Sequence, residues 1–161
     1  MTFVNIWPPP QPTRFSAIGG RFSVNLVETK KWAAMGITYT TLKIRNFLTD
    51  SEIVEQEAKV DTGATMLVLP ESTAAQFNFP KIRKQIVKYA NEETAQRDIV
   101  GGVEVEVCGR KGWFEGIFQP GKKYALLGAI VMETLDLILD PRGLQIYPNP
   151  RSPNMPMAEI E

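Results

Sequence analysis

The stretch Lys59-Val60-Asp61-Thr62-Gly63-Ala64-Thr65-Met66-Leu67-Val68-Leu69-Pro70 sets a carboxylate directly ahead of an apolar run. A carboxylate there is costly to desolvate, so Asp61 needs a local or a functional reason. The local reason is an Asx-type turn, in which its side-chain oxygen accepts a backbone N–H two residues on and Gly63 supplies a permissive φ. The functional reason is proton transfer, for which a positioned carboxylate serves as general acid or base. Composition removes most competing chemistries. The chain has no histidine, which excludes Ser-His-Asp and Cys-His catalysis, His-ligated zinc and imidazole acid-base work. The single Cys108 allows no intrachain disulfide and no Cys-rich metal site, and without an activating partner it reads as a packed strand residue. Proton transfer is left mainly to carboxylates.

The elements around Asp61 read as mostly β. Ile37, Tyr39, Leu42 and Ile44 among threonines and a lysine suggest a strand that leads through a polar loop at 46–52 towards Asp61. Val103-Glu104-Val105-Glu106-Val107 alternates, as a half-buried strand does, and Gly109-Arg110-Lys111-Gly112 is expected to turn it into a partner strand around 113–118. Helical pattern is confined to roughly 70–77 after Pro70 and roughly 129–136 after Gly128. Asp140-Pro141-Arg142-Gly143 is a turn signal, and Glu133 reads as a solvated helix residue. At 161 residues there is room for one domain. Residues 1–34, with Pro8, Pro9, Pro10 and Pro12 and no sustained period, read as an extended or partly disordered arm, and 149–161 as a flexible tail. The polyproline run could also be a ligand for a partner domain.

A second segment, Ala125-Leu126-Leu127-Gly128-Ala129, follows the Asp61 turn far downstream and leads into the second helical pattern. Together the two segments resemble the retropepsin-like aspartic peptidases over roughly residues 35–148. The resemblance implies a small closed β-barrel with one or two short helices, completed as a homodimer. It also implies Asp61 as the catalytic carboxylate, with Thr62, Gly63 and Ala64 supporting its loop and Leu126, Leu127 and Gly128 packing beside it. Taken singly, Leu126 and Leu127 read equally as ordinary core residues. Viral members often place an Asp directly after the Asp-Thr-Gly-Ala turn and an Arg directly after the downstream Gly, where this chain has Thr65 and Ala129. That double departure, with Leu-Leu-Gly-Ala followed by Glu133-Thr134-Leu135, points to the cellular, bacterial-type members.

Peptide hydrolysis by carboxylates alone needs two of them in unlike protonation states, and Asp-Thr-Gly occurs once in this chain. The second Asp61 is therefore expected from another copy of the chain, on a two-fold axis. The implied partners are the chain itself and an extended peptide substrate, with no metal and no organic cofactor. A cleft-closing flap is expected at about 86–104, with Ala90, Asn91 and Glu92 at its tip; a plain surface hairpin there suits the charged Glu92, Glu93, Arg97 and Asp98 equally well. The alternative function is a non-catalytic module of the same fold that holds an extended peptide or dimerises. A small β-barrel without a cleft explains Asp61 poorly. Eighteen acidic and eighteen basic residues give no basic stripe, so no nucleic-acid partner is expected. The first thirty residues hold no long apolar run, which reads as no membrane span and a cytoplasmic setting. Met35-Gly36-Ile37 is a natural start for the unit, so residues 1–34 are expected to be removed or dispensable.

Overall fold

A computed structural model describes residues 36–158 and residue 160. The arm expected over 1–34, and its processing, lie outside the described residues. Strand β1 (Thr38–Asn46) and strand β2 (Val54–Val60) form a hairpin with Ile44 opposite Val54 and Thr38 opposite Val60. Period-two alternation drives it: Leu42, Ile44, Ala58 and Val60 are buried, while Tyr39, Lys43, Glu55 and Glu57 face out. After Asp61 the apolar run forms strand β3 (Leu67–Pro70). Helix α1 (Glu71–Phe77) follows and stops at Asn78, which takes a left-handed φ of 47°.

Strands β4 (Lys81–Lys88) and β5 (Thr94–Val107) make a long hairpin, and β5 turns into β6 (Arg110–Gln119). Strand β7 (Ala125–Leu127) runs parallel to β2 and antiparallel to β3, while β3 runs parallel to β6. The second half of β5 pairs back onto β1, with Ile44 opposite Val105. That pairing closes the circuit β1-β2-β7-β3-β6-β5 into a six-strand barrel, with β4 left as an extension at the edge of β5. Closure removes the unpaired edges that an open sheet would expose. Leu42, Ile44, Leu69, Val100, Val103, Val105 and Leu127 fill the core at 0% exposure. Helix α2 (Ala129–Thr134) plugs it with Val131, and strands β8 (Leu137–Asp140) and β9 (Gln145–Pro148) form a separate hairpin. The fold is thus mainly β, a small closed barrel with two short helices, as expected. Asp140 opens the β8–β9 turn by accepting the N–H of Arg142 at 2.9 Å.

Three local expectations change. The turn after Val107 is not 109–112: Val107 pairs with Arg110, leaving a two-residue loop of Cys108 and Gly109 with φ of 51° and 75°. Positive φ at both positions matches the twist of the flanking strands. Cys108 is therefore an exposed turn residue rather than a packed strand residue, its thiol donating to the carbonyl of Ile146 at 3.4 Å. Nor does the polar loop begin at 46, because Asn46 ends β1 at 0% exposure and donates from Nδ2 to the carbonyl of Phe77 at 2.9 Å. Finally, residues 149–157 are tied to the barrel. Asp136 accepts from Asn149 Nδ2 at 2.8 Å, from the Ser152 hydroxyl and from the N–H of Met157, and the buried Arg110 donates to the carbonyls of Leu135, Asp136 and Ser152. The Ser152 and Asn149 hydrogen bonds lead in holding the Asp136 carboxyl down at about 2.

Candidate active site

Asp61 follows the last residue of β2 and begins an Asx turn. Its Oδ1 accepts the N–H of Gly63 at 3.1 Å, and its carbonyl accepts the N–H of Ala64 at 3.0 Å. Its own N–H donates to the carbonyl of Leu127 at 3.0 Å, which ties the start of the turn to β7. The local and functional reasons for Asp61 are therefore compatible: one carboxylate oxygen shapes the turn while the side chain stays 34% exposed. Thr62 and Gly63 are exposed, and Ala64 is half-buried. A Cβ on Gly63 would stand 3.3 Å from Asp61 Oδ1, so a side chain there would press on the carboxylate. Lys59 Nζ lies 3.7 Å from Asp61 Oδ2.

The downstream segment is brought directly beneath this turn. Leu127 is fully buried, and Leu126 is half-buried beside Lys59 of β2 and Val68 of β3. At Gly128 the backbones cross so closely that a Cβ would meet the carbonyl oxygens of Met66 at 2.4 Å and Ala64 at 2.7 Å. The crossing is held by two hydrogen bonds, Ala129 N–H to the Ala64 carbonyl at 2.8 Å and Ile130 N–H to the Thr65 carbonyl at 3.1 Å. The first N–H groups of a helix have no partner within the helix. Here the Asp61 loop supplies them for α2, so loop and helix satisfy each other and only glycine fits between them.

The segment expected as a flap, about 86–104, lies within the β4–β5 hairpin. Tyr89 N–H donates to the carbonyl of Glu93 at 2.9 Å, Glu92 N–H to the carbonyl of Tyr89 at 3.0 Å, and Glu93 N–H to Asn91 Oδ1 at 3.3 Å. Ala90, Asn91 and Glu92 form an exposed tip, with Glu92 at a φ of 68°. The base is anchored by the Tyr89 hydroxyl, which donates to Gln119 Oε1 at 2.9 Å and accepts from Arg97 Nε at 3.0 Å. Gly101 and Gly102 lie away from the tip, at an irregularity in β5 where Gly102 has a φ of 75°. Within one chain the tip's hydrogen bonds stay among its own residues, so the hairpin and Asp61 are presented by one barrel without touching through them. Beside the Asp61 loop, Thr65, Met66, Arg83, Trp113 and Ile130 line a groove of about 440 Å³.

Sequence reasoning missed three polar features. Lys59 is one, for its closeness to Asp61 follows from the i, i+2 spacing on a strand. The second is Glu104, which alternation would turn to solvent but which is only 3% exposed. Arg45 grips it with Nε at 2.7 Å and Nη2 at 3.0 Å, and Lys111 adds a contact at 3.2 Å. The Arg45 hydrogen bonds hold the Glu104 carboxyl below its usual range against the opposing effect of burial. The third is the Arg110–Asp136 cluster. Among the described residues no three acidic or thiol side chains converge as a metal site requires.

No protein-family model matches the sequence, and no curated protein does. Among solved structures the chain is similar to the solution structure of the simian foamy virus (mac) protease, at 23% identity and a TM-score of 0.44 over 59% of this chain and 91% of that one. It is also similar to the foamy viral protease-reverse transcriptase in complex with an RNA/DNA hybrid, at 18% identity and a TM-score of 0.47. That match covers 60% of this chain and 12% of the longer protein.

Proposed function

We propose that this chain is one subunit of a homodimeric aspartic endopeptidase of the retropepsin-like kind. The observation that carries the reading is the Asp61 turn itself. Its carboxylate is half exposed and ordered by the Gly63 N–H, and its loop is fixed to β7 and α2 through the Gly128 crossing. One such carboxylate can take a proton or give one, and hydrolysis needs both at once. Thr62 and Gly63, exposed beside it, are the surface on which a second copy brings its own Asp61. Two carboxylates brought that close cannot both ionise, so the pair holds one proton in common.

In the mechanism we propose, the ionised Asp61 takes a proton from a water whose oxygen bonds to the scissile carbonyl carbon. The protonated Asp61 gives its proton to the carbonyl oxygen, forming a neutral diol. The C–N bond then breaks as the Asp61 that took the water's proton gives it to the leaving nitrogen and the other, now ionised, Asp61 takes a proton from one diol hydroxyl, which restores the starting state with one proton on the pair. Thr62 locks the two loops, Leu126 and Leu127 support them from below, and the hairpin tip at Ala90, Asn91 and Glu92 covers an extended peptide. No metal or organic cofactor enters. Thr65 and Ala129 in place of a charged pair favour the cellular, bacterial-type branch. Among the described residues no helix is long and apolar enough to cross a membrane.

Incubation with a peptide library between pH 4 and 7, with and without a statine inhibitor, tests this directly. Asp61→Asn is expected to lower cleavage by at least about 10²–10⁴-fold. Cleavage that survives this substitution refutes the reading, and a folded dimer that cleaves nothing supports the peptide-binding alternative. Mixing wild-type and Asp61→Asn subunits in equal amounts should leave about a quarter of the activity if both carboxylates are required. About half would mean that each subunit works alone.

A further inference from the structure

In β2 the buried residues flanking Lys59 are Ala58 and Val60, so Lys59 projects from the opposite face of the sheet. Strand register sets Tyr39 of β1 on one side of it and Leu126 of β7 on the other, with Val68 of β3 beside Leu126. These four residues form a row across four neighbouring strands, and Asp61 opens onto the same face, with Lys59 Nζ 3.7 Å from its Oδ2. Tyr39 is 46% exposed, and Leu126 and Val68 are half-buried. The Tyr39 ring meets Tyr124 edge-on with centroids 5.8 Å apart, and Lys122 Nζ lies 5.5 Å from the centroid of Tyr124. The shelf beside Asp61 is therefore apolar and aromatic, with a cation beside the carboxylate and a second at its aromatic end. The other acids on this side of β2, Glu57 and Glu55, lie further back along the strand and are exposed.

The Lys59–Asp61 pair is long, and both partners are partly exposed, at 29% and 34%. Such a pair contributes little and leaves the ammonium free to turn to another carboxylate. Its aliphatic stem can lie along the apolar row while the charged head reaches the substrate. We propose that Lys59 is a specificity-determining residue that selects peptides with a glutamate or aspartate side chain adjacent to the scissile bond. The proposal rests on the peptidase reading of Asp61, and in the dimer each half brings its own Lys59 to one side of that bond.

The test uses quenched fluorogenic peptides identical except for one flanking residue, which is Glu, Gln, Leu or Lys, at pH 6, where glutamate is ionised. The wild type is expected to show a kcat/KM about tenfold higher for Glu than for Gln, equivalent to about 1.4 kcal/mol, narrowing as salt is raised. Lys59→Met is expected to bring the Glu-to-Gln ratio close to one, and Lys59→Arg to keep it above one. Wild-type cleavage without a Glu preference, or a preference that persists in Lys59→Met, overturns the inference and leaves the peptidase reading standing. The wild-type series decides the first of these whether or not a variant folds. Failure of the wild type to cleave any peptide above the Asp61→Asn background overturns the peptidase reading and the inference with it.

Discussion

Replacing Gly128 by alanine puts a methyl group where two backbone carbonyl oxygens stand 2.4 and 2.7 Å away. Neither oxygen belongs to a side chain that can swing aside. Restoring an acceptable contact requires the Ala64–Met66 backbone to move away from β7 by at least about half an ångström, and overpacking of this kind costs about 1–3 kcal/mol. The same movement stretches the Ala129-to-Ala64 and Ile130-to-Thr65 hydrogen bonds, each contributing about 1 kcal/mol. A loss of about 3 kcal/mol is expected, or roughly 10 °C in Tm for a domain of this size. Peptide cleavage measured well below that Tm should fall further than the unfolded fraction explains, because the displaced loop carries Asp61. Gly116→Ala is the control: its Cβ would meet ordinary contacts of 3.6–3.7 Å in the barrel wall and should cost little. Denaturant midpoints of the two variants decide the matter. A Gly128→Ala midpoint equal to or above that of Gly116→Ala would show that the crossing is not tight and that the loop is positioned by something else.

Three further outcomes follow from the polar features of the fold. Cys108→Asn is expected to stabilise the protein by roughly 0.5–1 kcal/mol, since Asn tolerates the left-handed φ of 51° that Cys108 adopts before Gly109; a lowered urea midpoint would contradict this. Asp136 has a folded-state pKa lowered to about 2, so its contribution is complete above its unfolded value of about 3.9 and is lost as pH falls through 2. The stability gap between wild type and Asp136→Asn should accordingly shrink between about pH 4 and 2, and a gap that widens on acidification would reverse that assignment. Arg45→Met should lower stability more than the double change Arg45→Met with Glu104→Leu, because the single variant leaves a buried carboxylate with Lys111 as its remaining cation. Thermal unfolding of both variants checks the order.

The Asx turn at Asp61 was legible in the sequence because its evidence is local. An Asp-Thr-Gly-Ala turn ahead of an apolar run specifies an Asx turn, and a chain without histidine leaves carboxylates to move protons. Mostly β character, the two helical pieces and the hairpin with its tip at Ala90, Asn91 and Glu92 were likewise legible from alternation and turn residues. Other features were not, because they depend on which strands become neighbours. Glu104 alternates as a solvent-facing residue should, and only the β1–β5 closure brings Arg45 over it. Cys108 counts as a strand residue until the Val107–Arg110 pairing turns it into half of a two-residue loop. Residues 149–157 have the composition of a tail, yet Asp136 and Arg110 satisfy their backbone and hold them. Lys59 stands two positions before Asp61 in the sequence, whereas pairing of β2 with β1 and β7 sets it in a row with Tyr39, Leu126 and Val68 beside Asp61. Turn chemistry is set by a few consecutive residues, while the neighbours of a strand are set by closure of the barrel, and the surroundings of Asp61 belong to the second kind.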